Sequence, residues 1–127
     1  MSHLLVLVQL LALTAEPASS LPPQRPCREH PEVRPPCFTV RGRLSYWNGT
    51  PTARIWIVGT NRMLGVSDGH ALPGFEQMPK AIRDRMSWET ELFGNYTFCP
   101  FTPEQPGVMQ LGCIQAAENL RAQKRPE

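Results

Sequence analysis

Between residues 38 and 46 the chain alternates strictly. Phe38, Val40, Leu44 and Tyr46 share one parity, and Thr39, Arg41, Arg43 and Ser45 share the other. A period of two places one face on a core and the other in solvent, which predicts a half-buried β-strand opening at Phe38. Asn48-Gly49 follows and reads as a tight hairpin turn, since both residues accept positive φ. Arg54 to Val58 then resumes an extended pattern, Gly59 to Arg62 turns again, and Met63 to Ser67 reads as a short third strand. A two-residue turn at Asn48-Gly49 would set Leu44 against Ala53, Gly42 against Ile55 and Val40 against Ile57 on an apolar face. The same register would set Arg43 against Arg54 and Arg41 against Trp56 on the other.

The pattern changes over residues 68 to 92, where turn residues mix with one predicted helix from Pro79 to about Trp88. Pro79 suits a first helical position, and Ile82 with Met86 makes an i,i+4 apolar pair. A connection this long on a small scaffold is either a functional loop or disordered chain. Strand signals return at Phe93 to Phe101, stop at the Pro/Gly-rich stretch after it, and return at Val108 to Gln115. These two segments look like a hairpin. Ala116 to Glu127 is polar and reads as a short helical turn with a frayed tail. The organisation expected is a leader over residues 1–20, a proline-rich arm over 21–37, an all-β domain over 38–120 and a polar tail over 121–127. The fold class is a small antiparallel β-sandwich with one long loop holding a short helix.

Leu4 to Ala15 is an apolar run broken only by Gln9 and Thr14, and small residues follow it. That is the pattern of a secretory signal peptide, with cleavage expected after Ser20 and a secreted or periplasmic product. The run is short for a membrane span, which needs about 20 apolar residues, so no transmembrane segment is expected in the mature form. Removing residues 1–20 leaves 107 residues with all 13 Lys and Arg and 10 of the 11 acids, a net charge of +3. So small an excess does not point to nucleic acid.

All four cysteines, Cys27, Cys37, Cys99 and Cys113, fall in the part expected to be exported, where disulfides persist. Two bridges are expected, and three connectivities are open. Local pairing, Cys27–Cys37 with Cys99–Cys113, is preferred. Cys37–Cys99 is the rival, because both residues have a parity that points off the core face. The proline-rich arm, bracketed by Cys27 and Cys37, reads as a strapped-down segment. No cofactor is expected, and neither a CxxC pair nor clustered histidine suggests a metal.

Hydrolysis would need a nucleophile with a base in reach, or a metal. Ser67, Asp68 and His70 lie within four residues, but Ser-Asp-Gly-His is also ordinary turn composition, and triads are assembled from separated elements. Glu76, Glu89 and Glu91 resemble solvated loop charges. Asn95-Tyr96-Thr97 is a glycosylation sequon, and Asn48-Gly49-Thr50 is another, compromised by Pro51. The outer face of the first hairpin holds Arg41, Arg43, Arg54 and Trp56. Arginine forks beside a large aromatic suit an anion such as a carboxylate or phosphate. The competing reading is a solvated charged face with Trp56 covered by the 68–92 loop.

The stretch VRGRLSYWNGTPTARIWIVGT with the later FGNYTFCPF resembles the transthyretin-like and carboxypeptidase-regulatory-like group of small β-sandwiches. The resemblance implies a prealbumin-like fold of about seven strands, whose first two strands can sit in opposite sheets, serving as an accessory, adhesive or ligand-carrying module. The enzymatic branch of that group carries active-site histidines and a C-terminal Tyr-Arg-Gly-Ser, whereas this chain ends AQKRPE. The expectation is a non-catalytic binding module for a protein, glycan or anionic ligand. The alternatives are a structural component of an envelope or extracellular assembly, and a hydrolase.

Overall fold

The structure, a computed structural model, describes residues 24–67 and 74–126. The expected leader lies outside the described residues, as do Asp68 and His70. Five strands are present: β1 (Phe38–Tyr46), β2 (Ala53–Ile57), β3 (Met63–Val66), β4 (Thr90–Pro100) and β5 (Gln110–Lys124). A 3-10 turn (Cys27–Glu29) precedes them, and one short helix, α1 (Lys80–Arg83), lies in the connection from β3 to β4. No helix among the described residues is long and apolar enough to cross a membrane.

The chain is all-β as its periodicity requires, but the strands close on themselves. Hydrogen bonding runs β1-β2-β3-β5-β4 and returns to β1. All neighbours are antiparallel except β3 and β5. Three consecutive strands form a meander, and the long connection brings β4 back beside β1, which is a Greek key. β5 then fills the gap between β4 and β3, so no edge is left unpaired. A five-stranded Greek-key barrel of OB type results, in place of the seven strands and two facing sheets expected. β1 serves both neighbours, pairing β4 over Phe38–Leu44 and β2 over Gly42–Tyr46. Gly42 sits where both pairings overlap. A Cβ there would come within 2.3 Å of Ile55 Cγ2, so only glycine lets β1 and β2 approach this closely.

The inward parity read from β1 holds. Leu44, Ile55, Leu64, Leu92, Tyr96, Phe98 and Ile114 are buried in one cluster, which Met78 and Ile82 of the β3–β4 connection join. α1 thus closes over the barrel with the apolar pair predicted for it, although it is shorter than expected and Pro79 caps it. The Tyr96 hydroxyl donates to the Leu92 carbonyl oxygen inside the core. Burial raises its pKa well above the usual tyrosine value, with a smaller opposing effect from the Arg41 charge.

Three expectations are corrected. First, β1 and β2 pair as Gly42–Ile57, Leu44–Ile55 and Tyr46–Ala53, two residues out of the predicted register. Residues 47–52 form a longer loop, closed by the Trp47 N–H donating to the Thr52 carbonyl, so Asn48-Gly49 is not the turn of a two-residue hairpin. Second, the stretch after Gln115 is strand as far as Lys124, not a helical turn with a tail. Register shifts between Thr97/Phe98 and Phe93/Asn95 mark irregularities in the β4–β5 pairing, and Asn119 has φ 55°. Such bulges break the alternation by which a strand is recognised.

Third, the disulfides are Cys27–Cys113 and Cys37–Cys99, not the local pairs. The Greek key explains this. Phe38 pairs Phe98 and Cys99 pairs Cys113, so Cys37, Cys99 and Cys113 fall in one row across β1, β4 and β5. The arm meets the end of that row at Cys27. It is strapped down as predicted: His30 is buried against Phe75 and Phe101, and Arg25 bridges to Phe75. Two long-range bridges with no free cysteine among the described residues fit an oxidising environment.

Candidate functional site

β1 and β2 present their outward residues as a ladder. Because the register slipped by two, every side chain stays on the face predicted for it while its opposite partner changes. Arg43 faces Trp56, Arg54 faces Ser45, and Arg41 faces Asn95 of β4. The structure therefore brings Arg41, Arg43, Arg54 and Trp56 to one outer face, but Arg43 and Arg54 are not opposed. The cation on Trp56 is Arg43, its guanidinium carbon 4.7 Å from the ring centroid, where Arg41 was expected.

The row through Arg43 runs further than the sequence indicated. Arg43 also pairs Phe93 of β4, and Phe93 pairs Arg121 of β5, whose guanidinium carbon lies 4.9 Å from the Phe93 ring centroid. Trp56, Arg43, Phe93 and Arg121 thus make a continuous strip across four strands, aromatic and cationic by turns. The sequence hides Arg121 because the alternation of β5 breaks after Gln115.

Glu91 anchors this strip. It is buried, and its Oε2 lies 3.0 Å from Arg43 Nε. The pair is ionic by distance; the Nε–H is not aligned into a hydrogen bond with it. Ser45 donates to Oε2 at 3.4 Å and Gln123 to Oε1 at 3.3 Å. Glu91 is therefore a buried counter-charge in the neighbouring row of the same face, two residues before Phe93, unlike the solvated loop carboxylate it resembles in sequence. Arg54 is partly occupied, its Nε donating to the Pro51 carbonyl at 2.9 Å. Trp56 is held by its indole N–H, which donates to the Thr60 carbonyl at 2.7 Å. Arg41 is exposed, and no described side chain is paired with it.

The other sequence candidates do not converge. Ser67 is buried with its backbone N–H on the Gly112 carbonyl, and its two supposed partners lie outside the described residues. Glu76 is half-buried, Glu89 is exposed, and Glu91 is committed to Arg43. Asn95 lies half-buried on the outer face of β4, between Arg41 and Glu118.

A second constellation was missed altogether. At the end of the barrel where β1 begins, Phe38, Pro100 and Gln110 line a cavity of about 380 Å³ together with Arg34 and Arg62. Gln110 occupies a buried position of β5, a polar residue where the period predicts an apolar one, and Arg62 stands just before β3. That mismatch was the available signal. No family model matches this chain, and neither do any curated proteins or solved structures.

Proposed function

We propose that the protein is an exported, non-catalytic binding module that holds an extended anionic ligand, of the acidic-polysaccharide type, on the outer face of its barrel. The observation that carries this reading is the strip Trp56, Arg43, Phe93, Arg121, flanked by the exposed Arg41. Successive aromatic rings give flat surfaces for sugar rings, and the guanidinium groups between them match carboxylate or sulfate substituents. Glu91, beside Arg43 on the same face, fixes it and so reduces the side-chain entropy lost on binding.

Two further considerations support the reading. Five-stranded Greek-key barrels often carry oligosaccharides or oligonucleotides on strand faces, an analogy at the level of fold alone. The leader pattern and the disulfides favour an extracellular or periplasmic setting after cleavage near Ser20, where polysaccharides are abundant partners and nucleic acid is not.

The test is binding of dextran sulfate, polygalacturonate and uncharged dextran across a salt series. The parent protein should bind the two polyanions with an affinity that falls with salt and should ignore dextran. Arg41→Ser with Arg121→Ser should remove most of that binding without unfolding the barrel, since both side chains are exposed.

A further inference from the structure

A different end of the molecule carries an inference that does not depend on the outer face. The barrel mouth between the β2–β3 turn and the β4–β5 loop has a cavity of about 380 Å³, within the range of small-molecule sites, about 300–1,000 Å³. Its apolar wall is made by Phe38, Pro36, Pro100 and Pro103, a ring and three rigid pyrrolidines. Its charged wall is Arg62. The Arg62 Nη2 donates to Gln110 Oε1 at 3.1 Å, and Gln110 Nε2 donates to the Thr102 carbonyl at 3.0 Å. Gln110 is buried, so an amide hydrogen-bonded at both its oxygen and its nitrogen holds the guanidinium from behind.

In front, Arg62 Nη1 meets Glu104 Oε1 at 3.2 Å. Glu104 belongs to the exposed β4–β5 loop, and its side chain is 64% exposed. This ion pair forms a partition, because a second recess of about 720 Å³ behind it shares both residues. An exposed pair of this kind is weak, so a competing anion can displace Glu104 easily. Arg34, on the rim, is exposed and has no ion-pair or side-chain hydrogen-bond partner among the described residues.

We propose that this mouth is a binding site for a small monocarboxylate with a flat apolar body, and that Glu104 holds the place of its carboxylate until it arrives. The ligand's carboxylate takes the Arg62 fork, Arg34 adds a second cation, and the ring lies against Phe38 and the prolines. A monoanion fits better than a phosphate dianion because the displaced Glu104 stays close by. The geometry of the arginine also favours a planar partner.

Calorimetric titration with 2-naphthoate tests this on the full chain, with 2-naphthalenemethanol as the neutral control and 2-naphthyl phosphate as the dianion. Naphthoate is expected to bind saturably and to shift the Gln110 side-chain amide resonances, and both controls should bind more weakly. Arg62→Ala should weaken naphthoate at least about tenfold, the size of a lost charged hydrogen bond. Arg62→Lys, which keeps the charge, should fall between. Glu104→Gln should tighten it by about two- to fivefold by removing the competitor. The last result separates the proposal from a merely structural role for the pair. Absence of saturable binding in both parent and Glu104→Gln protein would overturn it. So would unchanged affinity in Arg62→Lys, or weaker binding in Glu104→Gln.

Discussion

The Arg43 guanidinium carbon lies 4.7 Å from the centre of the Trp56 ring on the neighbouring strand, and the same side chain is the ion-pair partner of buried Glu91. One residue is thus both an element of the outer face and the neutraliser of a buried charge beside it. Removing it should therefore cost stability as well as binding. Arg43→Met is expected to destabilise the protein by about 1–3 kcal/mol, because it strands a carboxylate whose remaining hydrogen bonds are long. Arg41→Ala should stay within about 0.5 kcal/mol of the parent, as exposed positions do. Adding Glu91→Gln to Arg43→Met should recover much of the loss, which a double-mutant cycle in urea would read directly.

The disulfides give a second expectation. Cys27–Cys113 and Cys37–Cys99 span sequence separations of 86 and 62 residues. In the chain-entropy model each loop stabilises by about 4–5 kcal/mol taken alone, against about 3 for the short loops of local pairing. The two loops overlap, so their effects should not add. Removing either bridge by paired Cys→Ser exchange is expected to cost about 2–5 kcal/mol. Peptide mapping without reductant should recover fragments joined 27 to 113 and 37 to 99. Fragments joined 27 to 37 would contradict this connectivity but not the strand order, since Cys99 lies beside both Cys37 and Cys113.

Tyr96 predicts the alkaline limit. Its folded pKa is raised by burial, whereas the unfolded chain should titrate near the ordinary value of about 10. Above that pH the unfolded state holds fewer protons than the native state, so stability falls as pH rises. The slope contributed should approach about 1.4 kcal/mol per pH unit. The contribution is fully present below about pH 10 and fades through the raised folded value. Tyr96→Phe should lose the hydrogen bond to Leu92 and be less stable at neutral pH, yet its melting temperature should decline less steeply above pH 10. Parallel decline in the two proteins would count against a protonated, buried Tyr96.

Gly42 offers a sharp geometric check. A Cβ at this position meets Ile55 Cγ2 at 2.3 Å, a clash that Ile55 can relieve only by moving within the core. Gly42→Ala should therefore destabilise by about 1–3 kcal/mol, the usual cost of overpacking. Adding Ile55→Leu, which has no Cγ2, should give part of it back. Denaturation of Gly42→Ala and of the double variant against the parent settles the point.

How much was legible in the sequence depended on which period survived. The inward set of Leu44, Ile55 and Ile57 was readable because a register error of two leaves parity untouched, whereas an error of one would have reversed the faces. Arg41, Arg43, Arg54 and Trp56 were placed together for the same reason. Arg121 was not, because bulges near Asn119 and Ala116 interrupt the alternation of β5. The pairing of Cys37 with Cys99 could be suspected from parity. That of Cys27 with Cys113 needs the proline-rich arm to fold back onto β5, a tertiary fact with no local sequence trace. Glu91 looked like any loop carboxylate because its burial depends on Arg43, Ser45 and Gln123 arriving from two other strands.

The most direct test of the central claim is the salt dependence of dextran sulfate binding, compared between the parent protein and the Arg41→Ser, Arg121→Ser variant with folding checked by circular dichroism. The account predicts saturable binding by the parent, weakening steadily with added salt, and a loss of at least about tenfold in the folded variant. Equal binding by parent and variant, or no salt-sensitive binding by the parent, would contradict it and leave this face as scaffold.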